Sequence, residues 1–503
     1  MFKSLKGPAV YAVAIPLALI LGYLVSSPDP LNIAGLGIIV LFFAMPLFFQ
    51  YHHACLIFFW NAAFNAYFLP GGPDFWLIFA VFSLGVSLLN HIMFQTKFIN
   101  VPALTRPLIF LALVIVLTAM YRGGILVKSL GGTTYGGRYY LVLLGGIAGY
   151  FAFTAKQIPI AKSEKMANLF FLSAISYVLG NIVYLLGPSF YNLYYFVQSG
   201  VVSGQLAAEE GVSSIERIQG LAQPCVGVMC FLLARYTIRG IFDWSKPWRL
   251  LLLMATVGVS AFAGFRSILG LLFLTFAFQF YFEGLYKTRL LPIISIMALC
   301  IIMPVLLFSE HMPKVVQRAV SFLPVQVDTE VREDAKGSTE WRTQMWEVVW
   351  KDVPKYLVVG KGYSIDPTDM FLTTEGMRLG LLSNYEEAML AGDYHNGPLS
   401  VIVPFGIAGV AGFFWVIGAG GWALYMNFRH GDIRLRRINT VLLSFFCAYT
   451  LSFFFIFGAF NSQLFIFLGL VGFSVSLNGG VKRSTISKRK PASVPVVTVL
   501  QSK

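Results

Sequence analysis

The apolar residues of this chain fall in blocks long enough to cross a bilayer, and that pattern decides the fold class before any motif is considered. A chain that is 57% hydrophobic and only 12% charged over 503 residues has no soluble counterpart. In hydrocarbon such runs satisfy their backbone as helices. Fourteen spans are expected, at 9–25, 31–49, 54–69, 75–94, 107–120, 139–154, 166–186, 219–235, 250–264, 267–284, 290–308, 397–426, 438–458 and 462–477. Some are short, so a pair can merge or become re-entrant. The expected fold is therefore an all-α polytopic membrane protein with one large extracytoplasmic loop.

Four regions follow. Residues 1–308 form a first membrane domain, 309–395 a long polar loop, 396–477 a second membrane domain, and 478–503 a basic tail. The first span follows Lys3 and Lys6 and leads into Ser26-Ser27-Pro28-Asp29 without a small-x-small cleavage site, which reads as a signal anchor. The tail is rich in Lys, Arg, Ser and Pro and is expected to lie disordered against anionic headgroups. No internal repeat stands out.

Charge sets the orientation. With a cytoplasmic N terminus, the inside segments hold 23 of the 37 Lys and Arg, and the short outside loops hold five: Arg122, Lys128, Arg138, Arg217 and Arg266. That asymmetry obeys the positive-inside rule, which discounts long loops. Both termini are then cytoplasmic and 309–395 lies outside. The formal charge of +14 thus reflects topology, since the long loop itself carries fourteen acids against nine bases. No basic, aromatic-interleaved surface is present, so no nucleic acid is expected as a partner.

The five cysteines, Cys55, Cys225, Cys230, Cys300 and Cys447, all lie in apolar spans without a CxxC pair and read as buried free thiols. Common nucleophile, zinc and phosphate-loop motifs are absent from the sequence. Asp366-Pro367-Thr368-Asp369 has the composition of a turn, and no metal site is assigned to it.

Within the long loop, 340–353 has helical periodicity: Ser338 or Thr339 can cap it, Pro354 can stop it, and Trp341, Met345 and Val349 share a face. Trp346 and Trp350 widen that face. It suits either the bilayer interface or the loop's own core.

Chemistry points to arginines and one histidine. Arg217 leads into a span, Arg266 is wedged between two spans on the outer side, and Arg342 lies on the Trp-rich helix. Arginine at membrane depth is costly and tends to be functional, and its fork matches diphosphate oxygens. Snorkelling or a loop ion pair is the competing explanation, weightiest for Arg217. His395 stands where the polar loop returns to apolar sequence at Gly397-Pro398-Leu399. A base there can meet lipid-borne and water-borne reactants together.

Four stretches resemble the bacterial O-antigen ligase and polymerase superfamily: Arg217-x-x-Gly220 with Pro224; Ser260 to Arg266-Ser267; Trp341-Arg342-x-x-x-Trp346 followed by Gly360-Lys361-Gly362-Tyr363; and His395-Asn396 followed by Phe405-Gly406-Ile407-Ala408-Gly409. The likeness covers about 210–420. It departs at Phe265-Arg266-Ser267, where Ser-Arg-Gly is usual. It implies a GT-C-like fold and an inverting glycosyltransferase in the inner membrane of a bacterium. A glycan would pass from a polyprenyl diphosphate carrier to an acceptor sugar, on another lipid-linked repeat or on a lipid A core. By the same likeness Arg266, Arg342 and Arg217 hold the diphosphate and His395 is the catalytic base, with no cofactor and no metal. A chain-length regulator is a further partner of the kind it allows, beside the membrane lipids. The alternative from another class is a polysaccharide or lipid-linked oligosaccharide transporter or flippase, which needs central charges or inverted repeats.

The orientation is open to a direct test. A cysteine placed at Asp328 in a background cleared of native cysteines should react with an impermeant reagent from outside. Labelling only after the inner membrane is permeabilised would reverse the topology.

Overall fold

The apolar blocks fold as helices in the computed structural model, which describes residues 8–26, 29–124, 131–209, 215–383 and 385–483. Lys3 and Lys6, Lys128 and the basic tail after Arg483 lie outside the described residues. Among those described, nine helices are long and apolar enough to cross a membrane. Three shorter apolar helices, Ile15–Ser26, Trp248–Ala261 and Arg266–Phe282, accompany them. No β-strand occurs among them, only isolated bridges such as Phe64 with Val197. The chain is an all-helical, multi-pass membrane protein.

Nine is fewer than fourteen for local reasons. The expected spans 31–49 and 54–69 meet in one helical run, Pro30–Phe59, broken at Tyr51 (φ −112°, ψ 18°). The chain bends there. The Phe196 ring lies beside Gly37 and also 5.4 Å from the Phe68 ring, whereas a straight helix would separate Gly37 from Phe59 by about 33 Å. Beyond Phe59 the second block leaves the helix for a series of turns. Asn65 N–H donates to Phe196 O at 3.0 Å and Ala66 N–H to Pro73 O at 2.9 Å. Ala63, Asn65 and Ala66 are buried, and irregular backbone is tolerated at membrane depth when protein covers it. Spans 250–264 and 267–284 fall short because the chain turns sharply at 262–265 between helices Trp248–Ala261 and Arg266–Phe282.

The core forms around the helices Gly137–Thr154 and Phe460–Asn478, which pack along their length with Trp60 between them. Helix Leu290–Phe308 buries none of its residues. Cys300 on it is accordingly exposed, which corrects the expectation of five buried thiols; Cys225 and Cys230 are buried and the other two half-buried.

The loop helix is longer than its apolar stripe indicated, Thr329–Tyr356. Val331 and Ala335, both buried, extend the stripe N-terminally. Ser338 and Thr339 therefore sit inside the helix: the Thr339 hydroxyl donates back to Ala335 O at 3.1 Å. Met345 and Val349 are buried with Tyr394, Leu399 and Val403, and the Trp346 indole donates to Tyr394 O at 2.8 Å. Only Trp350 of the three tryptophans is strongly exposed. The helix thus packs on Tyr394 at the end of the loop and on the start of helix Gly397–His430, so membrane-domain residues share the core that the loop was expected to form alone. Asp366 caps helix Pro367–Arg378 by accepting from Thr368 N–H at 2.7 Å.

One joint fixes the loop on the membrane domain. Helix Gly397–His430 breaks at Gly406 (φ 60°, ψ −159°). Near the break, the carbonyls of Val403 and Pro404 accept from Lys361 N–H (2.8 Å) and Gly362 N–H (3.0 Å), and Ile407 N–H donates to Leu357 O at 2.8 Å. Arg122 donates to Gly360 O (2.8 Å) and Val359 O (3.1 Å) from the neighbouring helix. Gly360 approaches so closely that a Cβ would lie 1.9 Å from Pro404 O. Gly360→Ala should therefore cost about 1–3 kcal/mol through forced backbone movement. It should be read as a lowered apparent Tm of the purified protein; an unchanged Tm would show that the joint is loose.

Candidate active site

Between the loop helix and the membrane helices lies a cavity of about 1180 Å³. The four residues expected from sequence, Arg217, Arg266, Arg342 and His395, all line it, together with an unexpected one, Arg318.

Each arginine arrives by a different route. Arg217 precedes helix Ala222–Ile241 and lies against the turn before Arg266, where a Cβ on Gly264 (φ +72°) would meet the Arg217 side chain at 2.7 Å. Only glycine provides both the left-handed backbone and the space. The Arg217 Nε is buried with no hydrogen-bond partner. Arg266 opens helix Arg266–Phe282, and its Nη2 approaches Ala335 O and Thr339 Oγ1 only at 3.5 Å, the edge of bonding. Arg342 reaches back one turn to donate to Ser338 O (3.0 Å) and Ser338 Oγ (3.1 Å). Arg318, on helix Lys314–Val320, is nearly buried; it donates to Gly264 O at 2.7 Å and pairs with Asp334.

Among the described residues Arg318 is the only one of these four with a carboxylate in ion-pair range. Burial pushes the pKa of Arg217 down, and the Arg318 charge adds to it while Asp334 opposes. Arg342 is pushed down by burial, then by Arg266 and Arg318. Guanidinium groups stay charged under such shifts. The cavity therefore concentrates positive charge that its own carboxylates do not cancel, and an anion with several oxygens is what such a place attracts.

His395 sits at the rim in the left-handed region, φ +48°. A non-glycine residue held there stores about 1–3 kcal/mol, which surrounding packing must sustain. Its ring lies 5.3 Å from Trp341 and 5.0 Å from Phe457, and Nε2 is 3.9 Å from Asp393 Oδ2. The cap of helix Gly397–His430 comes from Asn396, which accepts from Leu399 N–H at 3.1 Å. His395 is thus free of that structural task. Burial pushes its pKa below 6.5, Asp393 pulls it up, and Arg342 pushes it down again. The imidazole is therefore neutral near pH 7, able to accept a proton.

Sequence reasoning missed Arg318 and Asp393. Arg318 carries no signal among nine loop bases, whereas Asp393, two residues before the histidine, was a readable one. The remaining wall mixes apolar side chains such as Trp60, Phe170, Phe171, Leu271 and Phe445 with polar ones, including Asp74 and Gln198 from the first half of the chain.

Residues 225–414 match the model of a family described as O-antigen ligase. That span holds Arg266, Arg318, Arg342 and His395, with Arg217 shortly before it. No curated protein and no solved structure matches the chain.

The histidine environment predicts its titration. In the purified protein the imidazole resonance that disappears in His395→Gln should titrate below 6.5. Asp393→Asn, by removing the charge that favours the imidazolium, should move it lower still. A midpoint above 6.5, or an upward shift in Asp393→Asn, would contradict the electrostatics described.

Proposed function

We propose, from the match of residues 225–414 to the O-antigen ligase family model, that the chain is a membrane glycosyltransferase of the O-antigen ligase/polymerase kind using a polyprenyl diphosphate-linked glycan as donor. The acceptor is a sugar hydroxyl, and transfer takes place on the outer face of the inner membrane. The observation that carries this reading is the convergence of Arg217, Arg266, Arg342 and His395 on one cavity.

The diphosphate lies against Arg266 and Arg342, with Arg217 behind them and Arg318 holding the Gly264 turn. As the bond between the anomeric carbon and the diphosphate oxygen breaks, its electron pair passes to the leaving diphosphate. The guanidinium forks stabilise that growing charge. The acceptor hydroxyl attacks the anomeric carbon from the opposite face, which inverts the centre. His395 takes the hydroxyl proton, and Asp393 stabilises the imidazolium that results. Positive charge comes from the arginines, so the proposed reaction requires no metal.

The placement of this site outside is supported by the charge asymmetry of the loops. Fourteen crossings, an even number, would keep both termini cytoplasmic. The acceptor distinguishes the two roles open to the enzyme: a polymerase extends another lipid-linked repeat, which is the reading favoured here, and a ligase loads a lipid A core.

An in vitro assay with a polyprenyl diphosphate-linked donor tests the chemistry. His395→Gln keeps a hydrogen-bond donor but cannot carry a proton away, and should lower the transfer rate about 10²–10⁴-fold. Near-normal transfer would remove the base assignment while leaving the arginine site standing. Arg342→Lys should weaken donor binding by about tenfold to a hundredfold, since a point charge does not reproduce the fork. Unchanged donor affinity in both Arg342→Lys and Arg266→Lys would remove the diphosphate assignment.

A further inference from the structure

One part of the cavity wall is acidic instead of basic. Among the described residues Asp74 is the only carboxylate lining the cavity, and beside Asp74 opens a smaller chamber of about 200 Å³. Asp74, Arg138, Tyr139, Asn461 and Ser462 bound that chamber, over a floor of Trp76 and Phe465. Asp74, Trp76, Ser462 and Phe465 also line the large cavity, so the two spaces share a wall.

Asp74 occupies the N-cap position of helix Phe75–Phe94, yet its side chain caps nothing. The carboxylate instead accepts from the Gln198 amide at 3.0 Å and faces Arg138 at 3.6 Å. Burial pushes its pKa up, against the pull of Arg138, Gln198 and Trp76. A carboxylate withheld from a helix end and half-buried at the membrane edge is an expensive arrangement for a merely structural tie. Tyr139 connects the chamber to the reaction centre. Its ring lies 5.1 Å from that of Tyr363, which in turn packs against Gly392, the neighbour of Asp393.

The chamber offers a carboxylate, a guanidinium, an amide and two hydroxyls with no net charge. Close-set donors and acceptors without net charge suit a neutral polyhydroxyl ring, and the Asp74 carboxylate disfavours a second diphosphate. We propose that the chamber is the acceptor subsite, seating the terminal sugar ring of the acceptor glycan so that one of its hydroxyls faces His395. This rests on the glycan-transfer reading above. It divides the labour of the cavity: the arginines hold the anionic donor, and Asp74, Asn461 and Ser462 select and orient the neutral acceptor. It also gives the first half of the chain, which the family match does not cover, a role in acceptor choice.

The test uses the full chain in nanodiscs with a polyprenyl diphosphate-linked glycan as donor. The acceptor is offered either as the water-soluble glycan cut from the same carrier or as a lipid A–core oligosaccharide. Donor-site binding is measured separately with polyprenyl diphosphate bearing no sugar. Asp74→Asn should raise the acceptor KM about tenfold or more, and leave the Kd for polyprenyl diphosphate within about twofold. Ser462 is exposed and bonds only weakly to its own turn (Ala459 O, 3.4 Å), so Ser462→Trp should fold and fill the chamber, abolishing transfer without loss of polyprenyl diphosphate binding. If Asp74→Asn does not yield monodisperse protein, Ser462→Trp decides alone. An unchanged acceptor KM, or a donor Kd that weakens in step with transfer, would overturn the subsite. Failure of the unmodified chain to transfer to either acceptor would instead overturn the glycosyltransferase reading, with the two failures separable.

Discussion

Guanidinium groups gathered at one cavity repel each other, and the elements around that cavity are arranged to hold them together. In a partly desolvated site that repulsion is far stronger than in water. The fold answers it sparingly. Asp334 pairs with Arg318, and the Gly264 carbonyl accepts from the same side chain. Arg217 is wedged over Gly264 with its Nε unpaired. The cavity is therefore left short of negative charge, which a bound diphosphate would supply. Such a site is stabilised when filled and strained when empty, the trade expected of binding machinery.

What holds the arrangement lies elsewhere. The glycine-lined contact between helices Gly137–Thr154 and Phe460–Asn478 supplies rigid apolar packing under the site. The joint between Gly360-Lys361-Gly362 and the broken helix at Gly406 ties the loop to that base. Arg342 comes from the loop and Arg266 from the membrane domain, so their relation depends on this joint. His395 is caught between the two, with Trp341 on the loop side and Phe457 on the membrane side. Its left-handed backbone is affordable only because both neighbours are fixed.

The site was more legible than the fold's details. Arg266 and His395 stood out because charge and imidazole are costly beside apolar spans, and Arg342 because it shared a short helix with tryptophans. Arg318 did not stand out, since one base among many in a polar loop has no local mark. The loop helix looks short in the sequence because Ser338 and Thr339 resemble caps, and only burial of Val331 and Ala335 shows that the helix passes through them. The break at Tyr51 was visible as a polar gap between two apolar blocks. That the second block would leave the helix after Phe59 was not, because backbone turns covered by protein keep an apolar sequence. Asp74 was silent for a similar reason: an acid after Gly71-Gly72-Pro73 and before a span reads as an ordinary helix cap.

The central claim is that one cavity holds the diphosphate on its arginines and turns the sugar toward His395. It is tested most directly by an experimental structure of the chain in a lipid nanodisc with a polyprenyl diphosphate-linked sugar bound. The account predicts diphosphate density within hydrogen-bonding distance of both Arg266 and Arg342, with the anomeric carbon on the His395 side. A diphosphate bound elsewhere, with these two guanidinium groups free of it, would contradict the account.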